Sequence, residues 1–164
     1  MRLPWAKRPR LEKAPRRENR FTCSPMSSPF FEQLVAVQEA DIDLMGHVNN
    51  IVYLSWVQEV ATAHWRSLAS QEEQQSILWV VSRHEIDYKR PALLGDEVLL
   101  RTWVGSVEGL TFERHTQVHR AADNQLLAVA RTLWIPVGAA TRRPQRLSAH
   151  LKAQFSSISN SQTV

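Results

Sequence analysis

The sequence predicts an α+β fold in which one long apolar helix is wrapped by a curled antiparallel sheet. Three observations carry this. Residues 51–69 place Tyr53, Trp56, Val57, Val60, Ala61, Trp65 and Leu68 at three- and four-residue spacing, with only Ser55, Glu59, Thr62 and Arg66 as a narrow polar stripe. A helix apolar over most of its circumference belongs in a core. Four strand-like runs follow, joined by turns too short for parallel crossovers, which predicts an antiparallel meander. One helix buried on a face of that sheet is the economical way to cover both. No internal repeat, glycine-rich phosphate loop or dinucleotide fingerprint interrupts the order.

In chain order, residues 1–28 mix basic residues with Pro4, Pro9, Pro15 and Pro25 and show neither helical nor strand period. They read as a disordered extension. Met26 is an alternative start of translation, and a basic arm for nucleic acid or anionic lipid is the functional alternative. Residues 30–38 are short, apolar and partly alternating, which suits a strand. The helix follows after a polar loop, with Asn49 or Asn50 as its N-cap. Residues 70–76 read as a polar connector. The four strands are expected over 78–88, 97–104, 110–120 and 125–137. On the third, Phe112, Arg114, Thr116 and Val118 alternate against Thr111, Glu113, His115, Gln117 and His119. A short helix over 147–155, capped at Ser148, closes a domain spanning 29–155, and 156–164 form a polar, frayed tail.

Length and charge narrow the function. The 164 residues form one domain, able to bury a core without disulfide or metal. Cys23 is the lone cysteine and precedes the domain, so a thiolate zinc site and a Cys nucleophile are excluded from it. That usage fits a reducing, cytoplasmic setting. The longest apolar run, residues 77–81, cannot span a bilayer. Residues 1–25 hold eight basic and two acidic residues (+6), and the remainder 12 basic against 14 acidic (−2). The net charge of +4 therefore comes from the extension, and no nucleic-acid partner is expected for the domain.

Residues 41–53, reading Asp-Ile-Asp-Leu-Met-Gly-His-Val-Asn-Asn-Ile-Val-Tyr, concentrate the chemistry. Two carboxylates, an imidazole and two amides run directly into the apolar helix. This block, with Asp87-Tyr88-Lys89-Arg90-Pro91, Gly95-Asp96-Glu97, Phe112-Glu113-Arg114 and Arg143-Pro144, resembles the hotdog-fold thioesterases of the 4-hydroxybenzoyl-CoA thioesterase-like group. The likeness covers roughly residues 30–155. It implies a hotdog subunit that pairs into a homodimer or homotetramer with sites at the subunit boundary. It also implies hydrolysis of an acyl-CoA thioester without metal or organic cofactor. The family's catalytic carboxylate matches Asp43, and its oxyanion donors, backbone N–H groups opening the helix, match the vicinity of Asn50. Related acyl-carrier-protein thioesterases share the Asp43 and His47 pair but carry Asn where this chain has Met45, which disfavours carrier-protein substrates.

Thioester hydrolysis needs an activated nucleophile, a stabiliser for the developing oxyanion and a dry acyl slot. Asp43 can deprotonate a water or attack the carbonyl itself, and its bland alternative is a loop carboxylate capping the helix. His47 can orient the carbonyl, hold water or bond loop backbone. Gly46 permits a positive φ or close backbone approach to substrate. Asn49 is a cap or a substrate contact. Tyr53 stands one turn into the helix, as core or pocket wall, and Glu59 reaches the site or pairs with an arginine. Arg90 and Arg143, with Lys89 and Arg142, are candidates for the coenzyme A phosphates. His115 and His119 share a strand face, which raises metal binding, but a third ligand is missing and satisfied strand histidines are the better reading. The rival functions are a non-catalytic acyl-CoA-binding module and enoyl-thioester hydration.

Overall fold

In the computed structural model residues 30–159 are described. The expected extension over 1–28, Cys23 within it, and the end of the expected tail lie outside the described residues. The element order is β1 (Phe31–Ala36), a short 3-10 turn (Glu39–Asp41), α1 (Asn50–Leu68), α2 (Gln71–Ser76), β2 (Ile77–Tyr88), β3 (Glu97–Glu108), β4 (Thr111–Arg120), β5 (Leu126–Gly138) and α3 (Ala149–Ser159). All strand pairs are antiparallel, in one sheet ordered β1-β3-β4-β5-β2.

α1 starts where its cap chemistry starts it. The Asn49 side chain accepts the Ile51 N–H at 3.1 Å and its carbonyl accepts that of Val52 at 2.9 Å, which settles the cap on Asn49. The periodic apolar face then buries Tyr53, Trp56, Val57, Val60, Ala61 and Trp65 against the sheet. The core has two parts along the helix. Tyr53, Trp56 and Val60 pack with Val98, Leu100 and Leu127 at the loop end. At the far end Trp65 packs with Phe112, Trp134, Leu151 and Phe155.

Four expectations are corrected. Only β3, β4 and β5 form a meander; β2 pairs with β5 at one edge, while β3 pairs with β1 at the other. The cause is the connection over 89–96, eight residues where a tight hairpin uses two. It crosses the sheet end, held by Leu127 C=O accepting the N–H groups of Lys89 (2.8 Å) and Arg90 (3.1 Å) and by Val37 N–H donating to Asp96 C=O (2.9 Å). Residues 70–76 are not an open connector: Ser70 Oγ accepts the Glu73 N–H (3.2 Å) and Glu73 Oε2 accepts the Ser70 N–H (2.8 Å), a capping box that starts α2. β3 runs four residues beyond expectation, through a bulge between Val104 and Val107. At Gly105 a Cβ would lie 2.8 Å from His115 Nε2, so glycine allows that close passage. Finally, α1 is not alone on its face. Leu151 and Phe155 of α3, 1% and 2% exposed, complete the rear core, and α3 extends to Ser159.

Candidate functional site

The loop between β1 and α1 is built around Asp43. Its Oδ1 accepts the N–H groups of Met45 (2.8 Å) and His47 (3.3 Å), while its own N–H donates to His47 C=O (2.8 Å). Gly46, at φ +79°, makes the reversal; a Cβ there would meet nothing, so the constraint is the left-handed backbone. Ile42 and Val48 form a bridge that closes the loop, and Leu44 and Met45 project into solvent. One oxygen of Asp43 is thus a structural latch. The other, Oδ2, has no hydrogen-bond donor among the described residues. Asp41 is buried and its Oδ2 accepts the Gln38 N–H at 2.9 Å, so this carboxylate shapes the turn. The half-buried His47 imidazole bonds to none of the described residues.

At the helix entrance the cap consumes the N–H groups of Ile51 and Val52. The Asn50 N–H is left without an acceptor among the described residues, and such orphan donors carry the positive end of the helix dipole. Tyr53 is 2% exposed, and its hydroxyl accepts the Ala92 N–H at 2.8 Å. It therefore sits in the core rather than on the loop's open face. The crossover also reaches the entrance directly: Val48 N–H donates to Ala92 C=O (3.0 Å) and Tyr88 Oη donates to Asn50 C=O (3.2 Å). Asp96 serves the crossover itself, accepting the Leu93 N–H (2.9 Å) and Arg120 Nε (3.3 Å).

The basic candidates separate. Arg90 is the second residue of the crossover beside this loop, two positions after Tyr88. Arg143 bonds through its backbone to Gly138, which pairs with Ile77 at the opposite end of β2. Eleven strand steps of about 3.3 Å put those ends roughly 36 Å apart. One chain does not bring the two arginines together. Glu59 is half-buried and has no ion-pair partner among the described residues, so the expected arginine pairing is not formed. Of the strand histidines, His84 reaches Thr132 Oγ1 through Nδ1 at 2.9 Å but leaves Nε2 buried without a partner among the described residues, while His115 and His119 are satisfied locally. His115 Nε2 lies 2.7 Å from Glu113 Oε1 and its ring stacks on Trp103. His119 contacts Asn124 C=O and Gln117 Oε1 at 3.2 and 3.1 Å. His119 is buried and pairs with Leu99 of β3 in unbroken register, so it keeps the face of Gln117 and His115, while the register against β5 shifts between Val118 and His119. Among the described residues no His/Cys/Asp/Glu cluster is placed to hold a metal ion.

Two features escaped sequence reasoning. The first is a half-open cavity of about 330 Å³ walled by Trp65, Trp79, Trp134, Phe112 and Phe155, with Gln58, Thr62 and Arg66 of α1 also lining it. The second is Arg114, 6% exposed on its inner wall. Its Nη1 donates to His64 Nδ1 (3.0 Å) and to Thr102 Oγ1 (3.2 Å), and Thr102 also accepts from Thr116 Oγ1 (3.2 Å). Burial pushes the His64 imidazole down to about 3, and the Arg114 charge adds to the effect, so the ring is neutral. Burial lowers Arg114 to about 10, which leaves it protonated at neutral pH. The strand alternation Phe112, Arg114, Thr116, Val118 was the available signal that this guanidinium faces inward.

The family profile described as Thioesterase-like superfamily matches residues 37–155. Long-chain acyl-CoA thioesterase FadM of Escherichia coli is 24% identical over 126 residues, spanning 74% of this chain and 93% of its own. Slr0204, a 1,4-dihydroxy-2-naphthoyl-CoA thioesterase from Synechocystis, superposes with a TM-score of 0.69 at 21% identity, over 80% of this chain and 98% of that one. A thioesterase from Thermus thermophilus, complexed with coenzyme A and Zn, gives 0.70 at 25% identity, over 80% and 95%. These superpositions identify the fold as a hotdog.

Proposed function

Since the chain belongs to the thioesterase-like superfamily and is a thioester hydrolase, we propose that it cleaves acyl-CoA thioesters with Asp43 as its catalytic carboxylate. The observation that carries this is the division of labour on that side chain. Oδ1 is fixed by two backbone N–H groups and Oδ2 is unclaimed by the described residues, in the loop that opens into α1. Oδ2 takes a proton from water, or attacks the thioester carbonyl to form a mixed anhydride that water then hydrolyses. Either route breaks the C–S bond, sends a proton to the leaving thiolate and yields the free acid and coenzyme A. The Asn50 N–H supplies the oxyanion donor; loss of one such donor typically costs on the order of 10²–10³ in rate. The His47 imidazole, with no bond to the described residues, is free to order water or the substrate carbonyl.

The site is completed by a second copy, in a homodimer. β2 is an edge strand of twelve residues with Leu78 and Val80 exposed on it, a surface suited to strand pairing. Its two ends carry different parts: the aromatic cavity lies near Ile77, and Tyr88 bonds to the entrance of α1. Antiparallel pairing of two β2 edges about a two-fold axis sets the cavity of one chain near the Asp43 loop of the other. The same pairing brings Arg143 of one copy toward the end of the partner that carries Arg90, which suits a phosphate-bearing substrate.

The test is free-thiol release from short, long and aromatic acyl-CoAs, with Asp43→Asn beside the wild type. Asparagine keeps the acceptor that latches the loop and removes the charge. Turnover falling by about 10²–10⁴ with an unchanged melting temperature supports the assignment. Full turnover in Asp43→Asn removes Asp43 from the chemistry. Ligand binding with no thiol release from any substrate favours the non-catalytic acyl-CoA-binding module.

A further inference from the structure

The aromatic cavity contains a buried charge with no counter-ion among the described residues. Arg114 contacts a neutral imidazole and a threonine hydroxyl, and no carboxylate among the described residues pairs with it. Acidic side chains are available nearby on the outer face: Arg131 of the neighbouring strand engages Glu85 at 3.0 Å and Glu113 at 2.6 Å. β4 thus pairs its outward Glu113 and leaves its inward arginine without a partner of opposite sign. Burying a guanidinium is costly unless something anionic compensates it.

The rest of the wall has the same polarity. The indole N–H groups of Trp79 and Trp134 are buried without an acceptor among the described residues, and both side chains line the cavity together with Arg114. An indole N–H only donates, and so does a guanidinium. Three donors surrounded by aromatic rings ask for a ligand with an apolar body and an acceptor-rich, negatively charged head. The volume of about 330 Å³ is at the small end of ligand pockets. One guanidinium with two lone N–H groups matches a planar monoanion, which a guanidinium holds bidentately, better than a phosphate dianion.

The cavity is also remote from the Asp43 loop of its own chain. The α1 residues lining it, Gln58 through Arg66, follow Asn50 by eight to sixteen positions. At 1.5 Å per residue this is roughly 12–24 Å along the axis.

We propose that the cavity between α1, β2 and α3 is a binding site for a carboxylate on an apolar body, with the carboxylate seated against Arg114 and the indole N–H groups of Trp79 and Trp134. Two sources supply this chemistry. One is a free carboxylic acid, such as the hydrolytic product. The other is the far end of a dicarboxylic acyl group still joined to coenzyme A, and only that assignment rests on the thioesterase reading.

The binding arm uses the full chain with 3-phenylpropanoate and its amide, read by calorimetry and by the indole N–H resonances. The acid binds roughly 10–100-fold tighter than the amide, as expected for hydrogen bonds to a charged group. Two of the six tryptophan signals, those of Trp79 and Trp134, move on binding. Arg114→Met brings the acid-to-amide ratio toward one, and Arg114→Lys restores part of it. If Arg114→Met does not fold, the wild-type ratio and the indole shifts decide alone. Equal affinity for acid and amide, or shifts confined to other tryptophans, overturns the site. The same titration with inorganic phosphate saturating more tightly than the carboxylate overturns the ligand class.

The kinetic arm separates the sources and does not bear on binding. Adipyl-CoA preferred over hexanoyl-CoA, with the preference lost in Arg114→Met, assigns the anion to the substrate. Inhibition of hexanoyl-CoA hydrolysis by 3-phenylpropanoate, relieved in Arg114→Met, assigns it to a free acid. Absence of hydrolysis of these and of the long and aromatic acyl-CoAs, with acid binding intact, rejects the thioesterase reading and leaves the carboxylate site standing.

Discussion

His64 is the residue whose ionisation the fold opposes most plainly. Its ring lies between Phe31, stacked at 5.1 Å, and Phe155, edge-on at 6.0 Å, and its Nδ1 accepts from Arg114. The Nε2 therefore carries the ring proton and has no acceptor among the described residues. Burial holds the pKa at about 3, against 6.5 for the free side chain. The folded state resists protonation that the unfolded chain accepts, so stability is full above pH 6.5 and falls as the pH drops toward 3. The loss at pH 4 is on the order of 3 kcal/mol. Melting temperatures recorded from pH 8 to pH 4 should fall on the order of 10 °C through this residue. His64→Gln, which retains an acceptor for Arg114, should flatten that slope. His84, also lowered by burial, acts in the same direction. Asp43 poses the opposite problem at the same scale: its role as latch or catalyst was undecidable from the motif, because both uses need a carboxylate in the same place. The structure shows the latch on Oδ1 and leaves Oδ2 for the proposed chemistry.

The helices and strands were legible to the extent that their own residues specify them. The 3.6-residue repeat placed α1 within one residue at each end. Ser70-x-x-Glu73 was an equally local signal for α2, hidden because its helix has no apolar face. Strand partners were not legible: nothing within residues 77–88 states that they pair with β5 rather than with the next strand. At the start of α1, Asn49→Ala removes the acceptor for the Ile51 N–H. The variant should lose about 1 kcal/mol in urea unfolding, and thiol release should fall more than stability does, because the same cap positions the Asn50 N–H. An unchanged rate with reduced stability would restrict Asn49 to a structural role. Gly46→Ala forces a β-carbon into the left-handed region at an open position. It should cost about 1 kcal/mol, read from the same unfolding curves.

At the scale of the molecule, the sheet has two unequal edges. β1 is six residues long and β2 twelve, and β2 exposes Leu78 and Val80. In the proposed two-fold pairing, which opposes the two ends of β2, residue 80 faces Glu85 of the partner subunit, so Val80→Glu sets like charges across the pair and destabilises it. Light scattering should show the assembly moving toward single chains, and thiol release per chain should fall with it. Retained dimer with full activity would place the interface elsewhere. The aromatic cavity belongs to this scale too. Its walls come from elements that are distant in sequence, so no single stretch could announce it, and the inward turn of Arg114 has meaning only once those walls meet.

The crossover over residues 89–96 has a consequence in time. Its anchors are Leu127 of β5, Asp96 against Val37 beside β1, and Tyr53 and Asn50 of α1 through Ala92 and Tyr88. None of these can hold it until both sheet edges and the helix are in place. Closing contacts of such long sequence separation is slow. On dilution from denaturant, the tryptophans of the rear core should therefore regain their native emission before the Asp43 loop regains its support, and catalytic recovery should trail the optical signal.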